Sequence, residues 1–102
     1  MYPFFNNQTI NTKNNELNNF DTIQKARQDL VGEIQAIIEY DTHIKLTTDN
    51  IAKSVWNNIK TEELTHVGEL LALLNYLEPS QMRYVQDGIN EFNKILGNNE
   101  TV

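Results

Sequence analysis

Cysteine is absent from this 102-residue chain, which excludes disulfides, thiolate metal sites and cysteine nucleophiles, so any metal must be held by oxygen and imidazole. Basic residues are few: eight Lys and Arg face fourteen Asp and Glu, for a formal net charge of -6. That balance argues against nucleic acid or an anionic membrane surface as the partner and favours cations. Long apolar runs are missing as well. The longest, Leu70 to Leu74, falls far short of a bilayer span. The Met-Tyr-Pro-Phe-Phe start lacks the basic, apolar and small-residue segments of a secretory signal, so the expected location is cytoplasmic and the sequons at Asn7 and Asn99 carry no weight. At 11.8 kDa the chain can enclose one modest core but not two, which excludes a multidomain enzyme.

What is present is mostly helical pattern. Residues 1–20 begin with an Asn-rich stretch, seven asparagines within the first nineteen positions, too polar to offset its own ordering entropy and expected to be a flexible arm. Tyr2, Phe4 and Phe5 are its exception and could dock on another subunit. Residues 21–97 form the folded domain by this reading, and 98–102 a flexible tail. Asp21 to Gln24 has capping-box spacing and predicts a first helix reaching about Leu46. The polar Thr47-Thr48-Asp49-Asn50 break offers Thr48 or Asp49 as the next N-cap, and a second helix follows from Ile51 to about Leu77. Pro79 stops it. Ser80 can cap a third helix whose apolar face is Met82, Val85, Ile89, Phe92 and Leu96, with Gly97 as its expected end. No strand pattern occurs, so the fold class is all-α: an antiparallel hairpin plus a shorter C-terminal helix. A lone hairpin cannot enclose a core, and a second copy completing a four-helix bundle is the expected remedy.

Steps of four and three along the first helix place Ala26, Leu30, Glu33, Ile37, Tyr40 and Ile44 on one stripe, the inward seam of a bundle. On the second helix the same steps give Ala52, Trp56, Ile59, Glu63, His66, Leu70, Leu73 and Leu77. Two carboxylates and a histidine thus interrupt apolar seams that carry no Lys or Arg. Burying an uncompensated carboxylate costs several kcal/mol, so something must neutralise Glu33 and Glu63. Both groups stand about 22 Å from the turn at 1.5 Å of rise per residue, which brings them level in an antiparallel hairpin. Taken singly, each has an ordinary explanation: Glu-x-x-His as a solvated pair, Glu33 as a register-setting residue, Tyr40 as packing, and His43, off the seam, as a solvated side chain. Placed together they form half of a di-iron carboxylate site of the ferritin-like kind, whose other half a two-fold dimer would supply. Glu62, beside the motif, could bridge or guide incoming metal.

The segments Gly32-Glu33-Ile34-Gln35-Ala36, Glu39-Tyr40-Asp41 and Glu62-Glu63-Leu64-Thr65-His66 resemble the encapsulated ferritin family, the short two-helix branch of the ferritin-like proteins. The resemblance covers Leu30 to about Leu74. It implies that Glu33, Glu63 and His66 hold iron at a dimer interface with Tyr40 beside the site, that dimers assemble into a ring of ten subunits, and that the protein is a ferroxidase supplying iron to an encapsulin shell. Gly32 and Gln35 stand where the family often carries further acidic residues, which leaves Glu62 as the candidate accessory ligand. Other metal chemistry, such as peroxide reduction or a manganese site, and a non-enzymatic metal-linked helical assembly module are the alternatives.

Overall fold

The structure, a computed structural model, describes residues 19–100; the Tyr2, Phe4 and Phe5 cluster lies outside them. Three helices make up the described residues: α1 (Phe20–Leu46), α2 (Asn50–Leu77) and α3 (Pro79–Glu100). None is long and apolar enough to cross a membrane. The all-α expectation holds.

The turn between α1 and α2 follows from its polar residues. Thr47 N–H closes α1 on the carbonyl of His43 at 3.2 Å, and Asp49 is the N-cap of α2, its Oδ1 accepting from Ala52 N–H at 2.9 Å. This turn is three residues long, which forces α1 and α2 to run antiparallel, with Asp41 meeting Lys60 at 2.9 Å near the turn and Arg27 meeting Glu78 at 2.6 Å at the far end. The start of α1 differs from its sequence reading. The helix begins at Phe20 with Asn19 as N-cap, without a side-chain cap bond. Asp21 therefore falls inside the first turn, where its charge complements the helix dipole rather than capping it.

At the second corner Glu78 joins two helices. Its N–H donates to Leu74 O at 2.8 Å and its carbonyl accepts from Gln81 and Met82 N–H, each at 3.1 Å. Pro79 then opens α3 at the one position where its missing N–H is harmless. The capping place expected for Ser80 belongs to Glu78, and Ser80 lies within the first turn. Gly97 does not end α3, which continues to Glu100 without a positive-φ glycine; a glycine inside an exposed helix costs only about 1 kcal/mol against alanine.

The core is small and sits at this corner: Ile23 and Ala26 from α1, Leu74 and Leu77 from α2, and Met82 from α3, with Leu30 and Leu71 packed against it. At this end the α2 seam shifts by one residue, since Leu74 is 3% exposed and Leu73 is 39% exposed. A straight helix drifts by about 20° per heptad from a strict seven-residue repeat, which carries the buried position onto Leu74. The slab of 50 × 46 × 18 Å is less than two helix diameters deep. Both broad faces of the hairpin are open, and large apolar side chains such as Val31, Ile34, Ile38, Phe92 and Ile95 are exposed.

Beneath the corner the Glu78 carboxylate, on a residue only 3% exposed, accepts from Arg27 Nη2 at 2.6 Å, while Arg27 Nη1 donates to Gln24 at 2.8 Å. Arg27→Met should destabilise the protein by about 2–3 kcal/mol, because it strands a buried carboxylate. The double variant Arg27→Met/Glu78→Leu should recover most of that loss in urea titrations.

Candidate metal centre

Glu33 projects from the middle of α1, and Glu63 and His66 project from one face of α2, since residues three apart on a helix lie one above the other. The hairpin brings them level, as the heptad positions require. His66 Nδ1 lies 3.5 Å from Glu33 Oε1 and 3.9 Å from Glu63 Oε1. One ligand atom from each of the three residues can be chosen so that all lie within 4.8 Å of one another. A metal holding these donors at about 2.0–2.2 Å would set them slightly over 3 Å to about 4 Å apart, so a small contraction closes the site.

Both carboxylates are only one-fifth exposed, Glu33 at 21% and Glu63 at 20% of their side chains. Glu33 Oε2 is buried and has no hydrogen-bond partner, an arrangement that costs free energy unless a ligand completes it. Two basic side chains are engaged elsewhere. Lys60, one turn before Glu63, is drawn to Asp41, and Arg27 is held by Glu78. Glu63 is consequently pushed above its ordinary value of 4.5: pairing with the Glu33 carboxyl acts first, partial burial second and the Glu33 charge third, while His66 opposes the rise and Glu62 adds to it. The folded chain therefore retains a proton at Glu63 that the unfolded chain releases. This contribution to stability is fully present below 4.5 and is lost as pH rises through the raised folded value. In chelator, the melting temperature should rise on acidification from neutrality through the Glu63 titration. Glu63→Gln should flatten that part of the profile.

The triad lines an open pocket of about 440 Å³ together with Gln28, Asp29, Gly32, Glu69 and Leu70. Asp29 and Glu69 are additions to the sequence reading. They stand four residues before Glu33 and three after His66, so extending the same helical faces by one turn would have found them. Two other expected residues stand apart from the triad. Glu62 is exposed and acts on Glu63 through its charge. Tyr40 is half-buried, with its ring against His43. His43 is exposed, as expected off the seam, yet its ring also meets Trp56.

Two carboxylates and an imidazole without sulfur form a borderline-hard donor set, suited to iron, manganese or zinc rather than to soft ions. No protein-family model matches the sequence. The chain is 25% identical over 91 residues to a ferritin-like-encapsulin shell fusion protein of Pyrococcus furiosus, an alignment covering 89% of this chain and 26% of that protein. The chain thus spans about a quarter of that relative's length. The crystal structure of an encapsulated ferritin domain from Pyrococcus furiosus superposes with a TM-score of 0.73 at 24% identity, covering 95% of this chain and 94% of that one. The fold matches that of the encapsulated ferritin domain, and the sequence likeness is in keeping with the resemblance read from the motifs.

Proposed function

From the encapsulated ferritin fold of this chain, we propose that it is a ferroxidase, oxidising Fe(II) to Fe(III) with dioxygen at a di-iron site shared by two subunits. The observation that carries this reading is the triad: Glu33, Glu63 and His66 converge within 4.8 Å on an open face of the hairpin, with Glu33 Oε2 buried and unpartnered. One hairpin contributes two carboxylates and one imidazole. A second copy about a two-fold axis doubles that to four carboxylates and two neutral imidazoles, whose charge balances two divalent ions, as in ferritin-like bundles. Iron is the substrate here. Two ferrous ions give up one electron each, and dioxygen takes both with two protons to form hydrogen peroxide. The carboxylates stabilise the rising metal charge, Glu62 draws cations toward the site, and Tyr40 orients a ligand.

A single bundle has no room for a mineral, so the oxidised iron is destined for an encapsulin compartment in the cytoplasm. The fusion of a ferritin-like segment to an encapsulin shell in the Pyrococcus furiosus relative supports encapsulin as the partner. A ring of ten subunits, the assembly implied by the family resemblance, would bury much of the apolar surface left open on the hairpin. That same surface favours a second reading, a metal-linked assembly module without turnover. Anaerobic Fe(II) titration followed by admission of oxygen separates the two. The ferroxidase binds about one iron per subunit, then consumes oxygen as ferric absorbance appears, whereas the assembly module binds metal and consumes none.

A further inference from the structure

The apolar stripe of α3 begins inside the core and runs out of it. Met82 is 5% exposed, Val85 39% and Phe92 60%, and Ile95 and Leu96 beyond them are exposed as well. Among the described residues nothing covers this stretch, because the backbone of α3 comes close to α2 and nowhere close to α1. The hairpin has an uncovered groove of its own. Leu30, Val31, Ile34, Gln35 and Ile38 of α1 line an open pocket of about 440 Å³, in which Gln35 is the one polar side chain, so the groove suits an apolar occupant. Val31, Ile34 and Ile38 stand roughly 100–160° around α1 from Glu33, at about 100° per residue, and the groove shares no lining residue with the metal pocket. The two therefore open on opposite faces of the hairpin. Their distances from the corner also agree. The start of α1 lies at the corner, where Ile23 shares the core with Leu77. Ile34 at the groove's centre stands about 20 Å from there along α1, and Phe92 stands about 20 Å from Glu78 along α3.

We propose that α3 of one copy lies in the α1 groove of a second copy, whose own α3 lies in the groove of the first. A two-fold axis through the paired corners exchanges hairpin and α3 between copies, and it sets stripe on groove only where both stand equally far from the corner, as they do. Apolar residues recur in steps of three and four on both surfaces, the spacing of helix ridges that pack into helix grooves. The exposed parts of the two groove and two α3 surfaces amount to on the order of 1,000 Å², the lower end for a specific interface. Such a contact is weak between single chains and is strengthened when two subunits are already joined. Because groove and metal pocket open on opposite faces, one subunit can hold a different neighbour on each, and metal-linked dimers are drawn into larger assemblies. The contact needs no metal, so it stands or falls separately from the ferroxidase reading.

The natural chain has no cysteine, so Ile34→Cys and Phe92→Cys, made in separate chains, each carry a single thiol. Both positions are exposed and the substitutions leave the core intact. The two proteins are mixed in chelator and oxidised with diamide, which traps a transient contact, and mixed disulfide dimers are followed by mass spectrometry. They should form at least tenfold faster than mixed dimers of Ile34→Cys with Asp87→Cys, whose thiol sits on the polar side of α3. Adding Val31→Asp to the Ile34→Cys chain should slow the reaction at least tenfold, because it puts a charge in the groove. Equal rates for the Phe92→Cys and Asp87→Cys partners, or no mixed dimer at all, would overturn the proposal. Ile34→Cys chains that link to one another faster than to Phe92→Cys would set groove against groove and overturn it as well.

Discussion

Glu63→Ala is expected to abolish Fe(II) oxidation, lowering the rate at least about 100-fold, since losing even an outer partner of a metal ligand can cost that much. In a two-fold site the substitution acts twice, removing two donors and two negative charges from around the metal pair. His66→Ala should do the same through the imidazoles. The two variants differ, however, in their effect on the metal-free fold. Glu63 shares a sparsely solvated space with Glu33 and holds its proton more tightly there than in water. Its removal relieves repulsion, so Glu63→Ala should fold at neutral pH at least as stably as wild type while losing turnover. A residue that contributes only to packing would lose stability instead. Glu62→Ala, which changes an exposed neighbour, should slow iron capture modestly at low ionic strength and little in salt. The check is stopped-flow ferric absorbance with oxygen uptake, and turnover retained in both Glu63→Ala and His66→Ala would overturn the assignment.

The triad was legible because charged groups at apolar seam positions violate a strong rule at periodic places. Two carboxylates and a histidine at apolar places on two helices, level with each other, need no tertiary knowledge to be noticed. The N-cap of α2 was legible as Thr48 or Asp49, short acceptors placed just before an apolar-periodic run, and the structure selects Asp49. Other features depend on three-dimensional events the pattern does not encode. The Arg27–Glu78 pair joins residues 51 apart and is set where the closing hairpin brings α1 against the end of α2. The exchange of Leu73 for Leu74 in the core reflects accumulated helical drift and the arrival of Met82. Gly97 and Asp21 had the residue types of helix ends, yet neighbouring residues could extend each helix, and local preference of about 1 kcal/mol was outweighed. Amphipathicity identified the α3 face of Val85, Ile89, Phe92 and Leu96 but not what covers it.

Removal of metal is expected to weaken dimerisation by at least two orders of magnitude in dissociation constant. Without metal, closing the bundle brings two copies of Glu33 and Glu63 into one poorly solvated space. Protonation can relieve part of that cost, as the upward shift of Glu63 indicates even within one chain, but at neutral pH the work remains unfavourable. Apolar surface opposes it. Leu73 lies seven residues beyond His66 on the same side of α2 and is 39% exposed, so closure also removes hydrocarbon from water. Metal decides the balance, because its binding free energy becomes free energy of association when each subunit holds only half of the ligands. Light scattering across a concentration series should show dimer with Fe(II) or a redox-inactive divalent ion and monomer in chelator. Glu33→Gln/Glu63→Gln separates the two forces. It keeps the side-chain shape, discards four negative charges per dimer and cannot hold metal well, so it should dimerise more tightly than chelated wild type and ignore added metal. If chelated wild type and this variant dimerise equally, charge does not govern the interface, and the apolar face alone closes the bundle.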